Sequence, residues 1–331
     1  MSAAPRRDRQ SQRGVALLTA LLITALCAMI AAGVALSNRH WLAQASHSAH
    51  TDQAVEYALG MENLARLSLF HDAQANAHDG LTDLWAETLP PLPIEGGQAQ
   101  GRVLPLDGRL NINDLLINDR INSVQLTRMQ RLWRHADIDP AILNAILDWL
   151  DQDAEVRAPG GGEDVSYALA VPPYRAANQP FSHLAELRLI AGVDDAVFDT
   201  LSRVVSVLPQ NTRLNINVAP DAVIASLADA LSPQAVAGAM ANHRDQPFDN
   251  LNAFTQLAIF DGLELDTTGL SVTSQWFVIH TAIALSDTRL DLLSYLRRDR
   301  DGRSSILARE RYYPGLSMTP LTHPLTGPHD D

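Results

Sequence analysis

The chain has 331 residues, 46% of them hydrophobic and 19% charged, enough to bury a sizeable core. Its formal charge of -13 argues against a nucleic-acid partner, whose phosphates favour basic surfaces. Cys27 is the only cysteine, which excludes an intramolecular disulfide and leaves packing, or a bound ion, to hold the fold.

Residues 1–14 form a basic leader with Arg6, Arg7, Arg9 and Arg13. An uncharged apolar run from Val15 to Leu36 follows, long enough to cross a hydrocarbon core as a helix. The basic leader places the amino terminus in the cytoplasm and everything after Arg39 in the periplasm. No small-residue cleavage site of the secretory type follows the run. Two readings of the leader are open: an anchor that is never cut, or a leader cut directly after Gly14. Arg13-Gly14 abutting such a span resembles the type IV prepilin class. In that class a prepilin peptidase cuts after Gly, and the new first residue, here Val15, is usually N-methylated. Major pilins carry Glu at the fifth mature position, where this chain has Thr19. That Glu is held to neutralise a neighbour's terminal amine inside the bilayer, where an unpaired charge is costly. A chain with Thr there is a poor repeating subunit of a filament.

From Ser37 to about Phe70 there is no Pro, so the helix is expected to continue beyond the membrane, or to hinge near Ser37-Asn38. Ala54, Ala58, Met61, Ala65 and Leu69 recur at helical spacing and would lie against a sheet. Val55, Ala58, Met61 and Ala65 are the candidate partner-binding residues, just above the membrane. Residues 71–97 are polar and turn-rich, Gln98 to Leu104 reads as a strand, and Asp107-Gly108 is a hairpin-type signal. Arg109-Leu-Asn-Ile-Asn113 returns as Arg213-Leu-Asn-Ile-Asn217, which suggests an internal duplication.

The first helical unit, 106–212, has helical patterns at 123–136 and 140–149, an acidic loop at 151–164, and two short helices around Gly192. The second, 213–270, repeats the theme with patterns at 222–230, 233–243 and 251–259. After Ser271 the period changes to strands at 272–281, 289–297 and 306–313, and the segment 271–331 ends in a Pro-rich tail expected to be mobile. With 37–105 as stalk helix and first strands, the fold class is α+β. A long amino-terminal helix would pack on an antiparallel sheet interrupted by a large all-α insertion.

Ile146-Leu-Asp-Trp-Leu-Asp-Gln-Asp153, Gly162-Glu-Asp164 with Tyr167, Pro173-Tyr174 and Pro180-Phe-Ser-His-Leu-Ala-Glu-Leu187 resemble the hallmark stretch of the general secretion pathway protein K family. These are the minor pseudopilins K of type II secretion systems, known for lacking the pilin Glu. The resemblance spans essentially the whole chain. It implies a pseudopilin fold with two sterile-alpha-motif-like subdomains, anchored in the inner membrane. It also implies a tip complex with minor pseudopilins I and J, and calcium in the helical domain without fixing its ligands. Asp151, Asp153 and Glu155 stand at alternate positions, and Glu163 and Asp164 return twelve and thirteen residues after Asp151. It is not an EF-hand, because Val156 and Gly162 stand where Gly and Glu are needed. The expected ligands are Asp151, Asp153, Glu163 and Asp164, with Glu155 outward and a solvated acidic loop as the alternative.

Two other function classes have some support in the sequence. Asp148, Asp151, Asp153, Glu163 and Asp164 offer paired carboxylates. However, the sequence has no phosphate loop, His-Glu-x-x-His or nucleophile turn, so no catalytic residue is assigned. Phe181 to Val207 looks like a DNA-binding helical hairpin, yet Asp194 and Asp195 at its turn would repel phosphate. A component of a DNA-uptake or other type IV filament is the alternative function.

Overall fold

The computed structural model describes residues 11–87, 90–286 and 288–312. Most of the leader, Tyr313 and the tail expected to be mobile lie outside them. Helix α1 (Ser11–Ala75) is one unbroken element of 65 residues, about 98 Å long. It has no hinge at Ser37-Asn38, because that region holds neither Pro nor Gly and its Ala and Leu favour helix. Among the described residues it is the one helix long and apolar enough to cross a membrane. The Thr19 hydroxyl donates back to the carbonyls of Val15 and Ala16, at 3.1 and 3.0 Å, so the span satisfies its own polar side chain.

Strands β1 (Leu92–Ile94) and β2 (Gly97–Pro105) form a hairpin whose turn uses Gly96 at φ +80°. The chain then enters the insertion. Its first unit contains β3 (Leu110–Asn111), β4 (Leu116–Ile117), β5 (Arg120–Ile121), α2 (Ser123–His135), α3 (Pro140–Leu150), the single turn α4 (Asp164–Tyr167), α5 (Asp195–Val204) and β6 (Val205–Ser206). The second contains β7 (Leu214–Asn215), α6 (Asp221–Ala225), α7 (Pro233–Met240), α8 (Leu251–Thr255) and β8 (Leu270–Ser271). Its helices are shorter than their apolar patterns suggest, two of them tightening into 3-10 turns. The chain closes with β9 (Trp276–Leu285), β10 (Thr288–Arg298) and β11 (Ser304–Tyr312).

The main sheet is antiparallel, in the order β1-β2-β9-β10-β11. β2 and β9 pair from Gly97↔Leu285 to Pro105↔Phe277, so strands from either side of the insertion meet at the centre. Asp107-Gly108 is therefore not a hairpin turn. The Asp107 carboxylate accepts from the backbone amides of Gln275 and Trp276, at 2.6 and 3.2 Å, and stitches the outgoing chain to the returning one. A Cβ on Gly108 would come within 2.7 Å of the Val218 carbonyl, so Gly is required for the close approach of the second unit.

The repeated pentapeptide has a physical meaning. Asn113 donates to the carbonyls of Phe181 and Leu208, both at 3.0 Å, and accepts from the Phe181 amide. Asn217 does the same with the Phe248 carbonyl, the Val272 carbonyl and the Phe248 amide. Both partners sit in a second repeat, Gln179-Pro-Phe181 and Gln246-Pro-Phe248. Each unit also closes with a two-residue parallel pair, β3 with β6 and β7 with β8.

Three apolar layers result. Ala54, Ala58 and Met61 of α1 cover Ile283, Leu285, Leu290 and Leu292, and Leu69 covers Phe277, Ile279 and Leu296. On the other face of the sheet, Val278 and Leu293 meet Leu106 and Leu208 from the insertion. The insertion has a large core of its own around Trp133, Ile146, Leu187 and Phe254.

Candidate metal centre

α3 begins at Asp139, whose side chain caps the Ala141 amide, followed by Pro140 in the first turn, where its missing N–H costs nothing. Its apolar face is buried, and its carboxyl end delivers two acids. Asp148 lies in the last turn and Asp151 is the cap. The negative end of a helix is a poor place for carboxylates, so this arrangement asks for a cation. One is supplied by Arg157, which pairs with Asp151 and with Asp148 at 3.1 Å, while its amide donates to Asp148.

One oxygen each from Asp151, Asp153 and Glu163 lies within 4.8 Å of the others. Asp151 and Glu163 are buried while Asp153 is exposed. Asp151 Oδ1 and Glu163 Oε1 are buried without a hydrogen-bond partner among the described residues. Burial first, then Asp148, Asp151, Asp153 and Asp164, pushes the Glu163 carboxyl up to about 7. Burial also raises Asp148 and Asp151, with Arg157 opposing it.

Asp164 does not join the centre. It opens α4 and turns away, accepting from the Ala176 amide at 3.1 Å beside Arg175. Glu155 is exposed. Sequence reasoning assigned no site role to Arg157, and Asp148 was not among the expected ligands. Spacing would have found Asp148, three residues before Asp151 on one helix face. The Gly160-Gly-Gly162 run is a packing requirement as well as a source of freedom. Gly160 holds φ +77°, and a Cβ on Gly162 would meet the Tyr167 hydroxyl at 2.7 Å.

A second acidic group, Asp72, Asp79 and Asp83, lies where α1 ends. Its cation is Arg298 of β10, which pairs with Asp79 and, at 3.2 Å, with Asp72. Arg298 also donates to the carbonyls of Leu69 and Ser274, and its guanidinium sits over the Phe277 ring at 4.9 Å. Asn215 donates to the Asp79 carbonyl at 3.1 Å. This knot joins α1, the sheet and the second helical unit.

The stripe expected to bind partners is corrected by the fold. Ala58 and Met61 are buried beneath their own sheet, and Val55 and Ala65 are half-buried against the same layers. The open face of α1 instead carries Gly60, Leu64 and Leu67, the two leucines 54% and 51% exposed. Gly14 and Val15 both lie in the first turns of α1, with Val15 exposed.

Comparison with known proteins places these features. Two family models, both described as type II secretion system protein K, match residues 108–210 and 214–273. The protein K of Pseudomonas aeruginosa is 30% identical over 97% of this chain and 98% of its own length. That of Pectobacterium carotovorum subsp. carotovorum is 30% identical over 85% and 90%. The crystal structure of the GspK-GspI-GspJ complex from enterotoxigenic Escherichia coli has a chain of the same fold. The TM-score is 0.70 at 22% identity, covering 80% of this chain and 97% of that one. With a relative 30% identical aligned over nearly the whole of both chains and both helical units matched, the chain belongs to the type II secretion system protein K family.

Proposed function

We propose that this minor pseudopilin works at the tip of the pseudopilus, with minor pseudopilins I and J, in the export of folded proteins across the outer membrane. Val15–Leu36 anchors it in the inner membrane and the rest stands in the periplasm, after prepilin peptidase has cut behind Gly14. The two helical units are read as sterile-alpha-motif-like subdomains. The observation that carries the tip position is the insertion, which leaves the sheet at Pro105 and returns at Trp276. A subunit within a filament is covered above and below by neighbours, and so large a projection suits an end. Thr19 supports the same reading, since its hydroxyl is spent on its own helix and offers no counter-charge to a subunit above.

Leu64 and Leu67, beside the open Gly60, form the face offered to a partner helix. The test is co-purification of the full chain from membranes with the pseudopilins encoded beside it. A stoichiometric complex with I and J is expected. Isolation of the chain alone, or as a repeating homopolymer, would overturn the tip assignment.

Calcium is the ion that this reading places in the acidic centre. The donor set fits a hard cation, with clustered carboxylate oxygens of which two are buried and unsatisfied. Asp151, Asp153 and Glu163 would hold it, and bound calcium would neutralise their mutual repulsion and fix the loop against α3.

A further inference from the structure

Trp41 stands apart from the packing of α1. It is the first Phe, Trp or Tyr of the chain, and the next is Tyr57. It is 69% exposed and its neighbour Leu42 71%. Neither face already assigned to α1 includes it. At 3.6 residues per turn, Trp41 points about 80–160° to one side of Ala54, Ala58, Met61 and Leu69, which the sheet covers. It points about 80–140° to the other side of Gly60, Leu64 and Leu67.

Its height along the helix identifies the cover. The apolar run Val15–Leu36 is about 33 Å long, against a hydrocarbon core of about 30 Å and headgroup layers of about 5–7.5 Å on each side. Trp41 follows Leu36 by five residues, about 7.5 Å. Side chains on a helix lean towards its amino terminus, so the indole reaches back to the membrane. There the ring buries its apolar body and keeps its N–H among ester and phosphate oxygens, which is why tryptophans gather at bilayer surfaces. Arg39, also exposed, is the one charged residue of the DEKR set between Arg13 and Asp52, and its guanidinium suits a lipid phosphate. The sheet leaves room for such a layer. Among the described residues, the first hydrogen bond from α1 to the sheet joins His47 to the Thr288 hydroxyl at 3.5 Å. His47 is six residues, about 9 Å, above Trp41.

We propose that Trp41, with Leu42 and Arg39, docks into the phospholipid headgroup layer of the periplasmic leaflet and so fixes how high the sheet stands above the membrane. The inference rests on the reading of Val15–Leu36 as a membrane span, and its test separates the two. The full chain is reconstituted into phospholipid vesicles whose acyl chains carry bromine, a contact quencher of tryptophan, either near the headgroup or near the chain end. Subtracting the emission of a Trp41→Phe chain removes the signal of Trp85, Trp133, Trp149 and Trp276, which lie in the body above the stalk. Shallow bromine should quench the Trp41 signal at least twice as strongly as deep bromine. Cys27, the only cysteine, lies 14 residues, about 21 Å, below Trp41 and reports on the span itself. It should resist a water-soluble maleimide in intact vesicles. A protected Cys27 beside a Trp41 that bromine does not reach, or that deep bromine quenches more, overturns the proposal and leaves the span standing. A readily labelled Cys27 removes the span and the proposal with it. Loss of shallow quenching when pseudopilins I and J are reconstituted with the chain would make a partner helix the occupant, and overturns the proposal too.

Discussion

Asp151 and Glu163 carry the metal reading, because each buries an oxygen that no described residue satisfies. Calcium should stabilise the full chain by mass action, by about 2.7 kcal/mol at a hundredfold excess over Kd, and so raise its melting temperature. Asp151→Ala combined with Glu163→Ala should abolish that shift in calorimetry, and an undiminished shift would refute the assignment. Glu163 adds a pH signature. Its carboxyl is lifted from 4.5 to about 7, so the metal-free fold holds a proton that the unfolded chain releases between those values. That contribution to stability is full below about 4.5 and disappears as pH rises through 7. Calcium competes with the proton, so the calcium-dependent shift should be larger at pH 8 than at pH 5. Equal shifts at both would remove Glu163 from the ligand set. At this scale the alternating acids were legible from spacing alone. The direction of Asp164 was not, because it is set by where α4 opens. Nor was the pairing of Arg157, which needs the loop folded back on α3.

Among elements, α1 shows how periodicity identifies an apolar stripe without saying what covers it. Ala54, Ala58, Met61, Ala65 and Leu69 were legible as a face for a sheet, and three of them were also candidates for a partner. The sheet takes them, because β9 and β10 present Ile283, Leu290 and Leu292 directly opposite. Two substitutions separate the roles. Ala58→Asp buries an unpaired charge and should destabilise the fold by about 3 kcal/mol or more. Leu67→Asp on the open face should leave the unfolding free energy within about 1 kcal/mol of wild type while the proposed complex with I and J is lost from co-purification. A folded Ala58→Asp chain, or an intact complex with Leu67→Asp, would reverse the assignment of the two faces. The duplication was half legible. The Leu-Asn-Ile-Asn repeat was visible, but its partner, Gln-Pro-Phe, gains meaning only once Asn113 and Asn217 are seen gripping Phe181 and Phe248.

For the whole molecule, one antiparallel sheet built from strands on either side of the insertion could be anticipated, but its strand order and the groups that lock the halves together could not. Arg298 and Asp79 are distant in sequence and surrounded by unremarkable neighbours. Replacing Arg298 with Met leaves Asp72 and Asp79 buried without their cation and should cost about 3–5 kcal/mol in denaturant unfolding. A loss below about 1 kcal/mol would mean that the knot contributes specificity rather than stability. The stitch at Asp107 has a kinetic corollary. β2 cannot find β9 until the chain between Pro105 and Trp276 has been brought round, a closure costing about 4–5 kcal/mol of chain entropy for a loop of that length. Folding the insertion first removes most of that cost, because its own short parallel pairs and Asp107 bring the two ends together. Pulse-labelled hydrogen exchange during refolding of the full chain should therefore protect α2, α3 and α5 before the amides shared by β2 and β9. Sheet amides protected first would contradict this order. The helical insertion would then act as the template on which the sheet of the flanking strands closes.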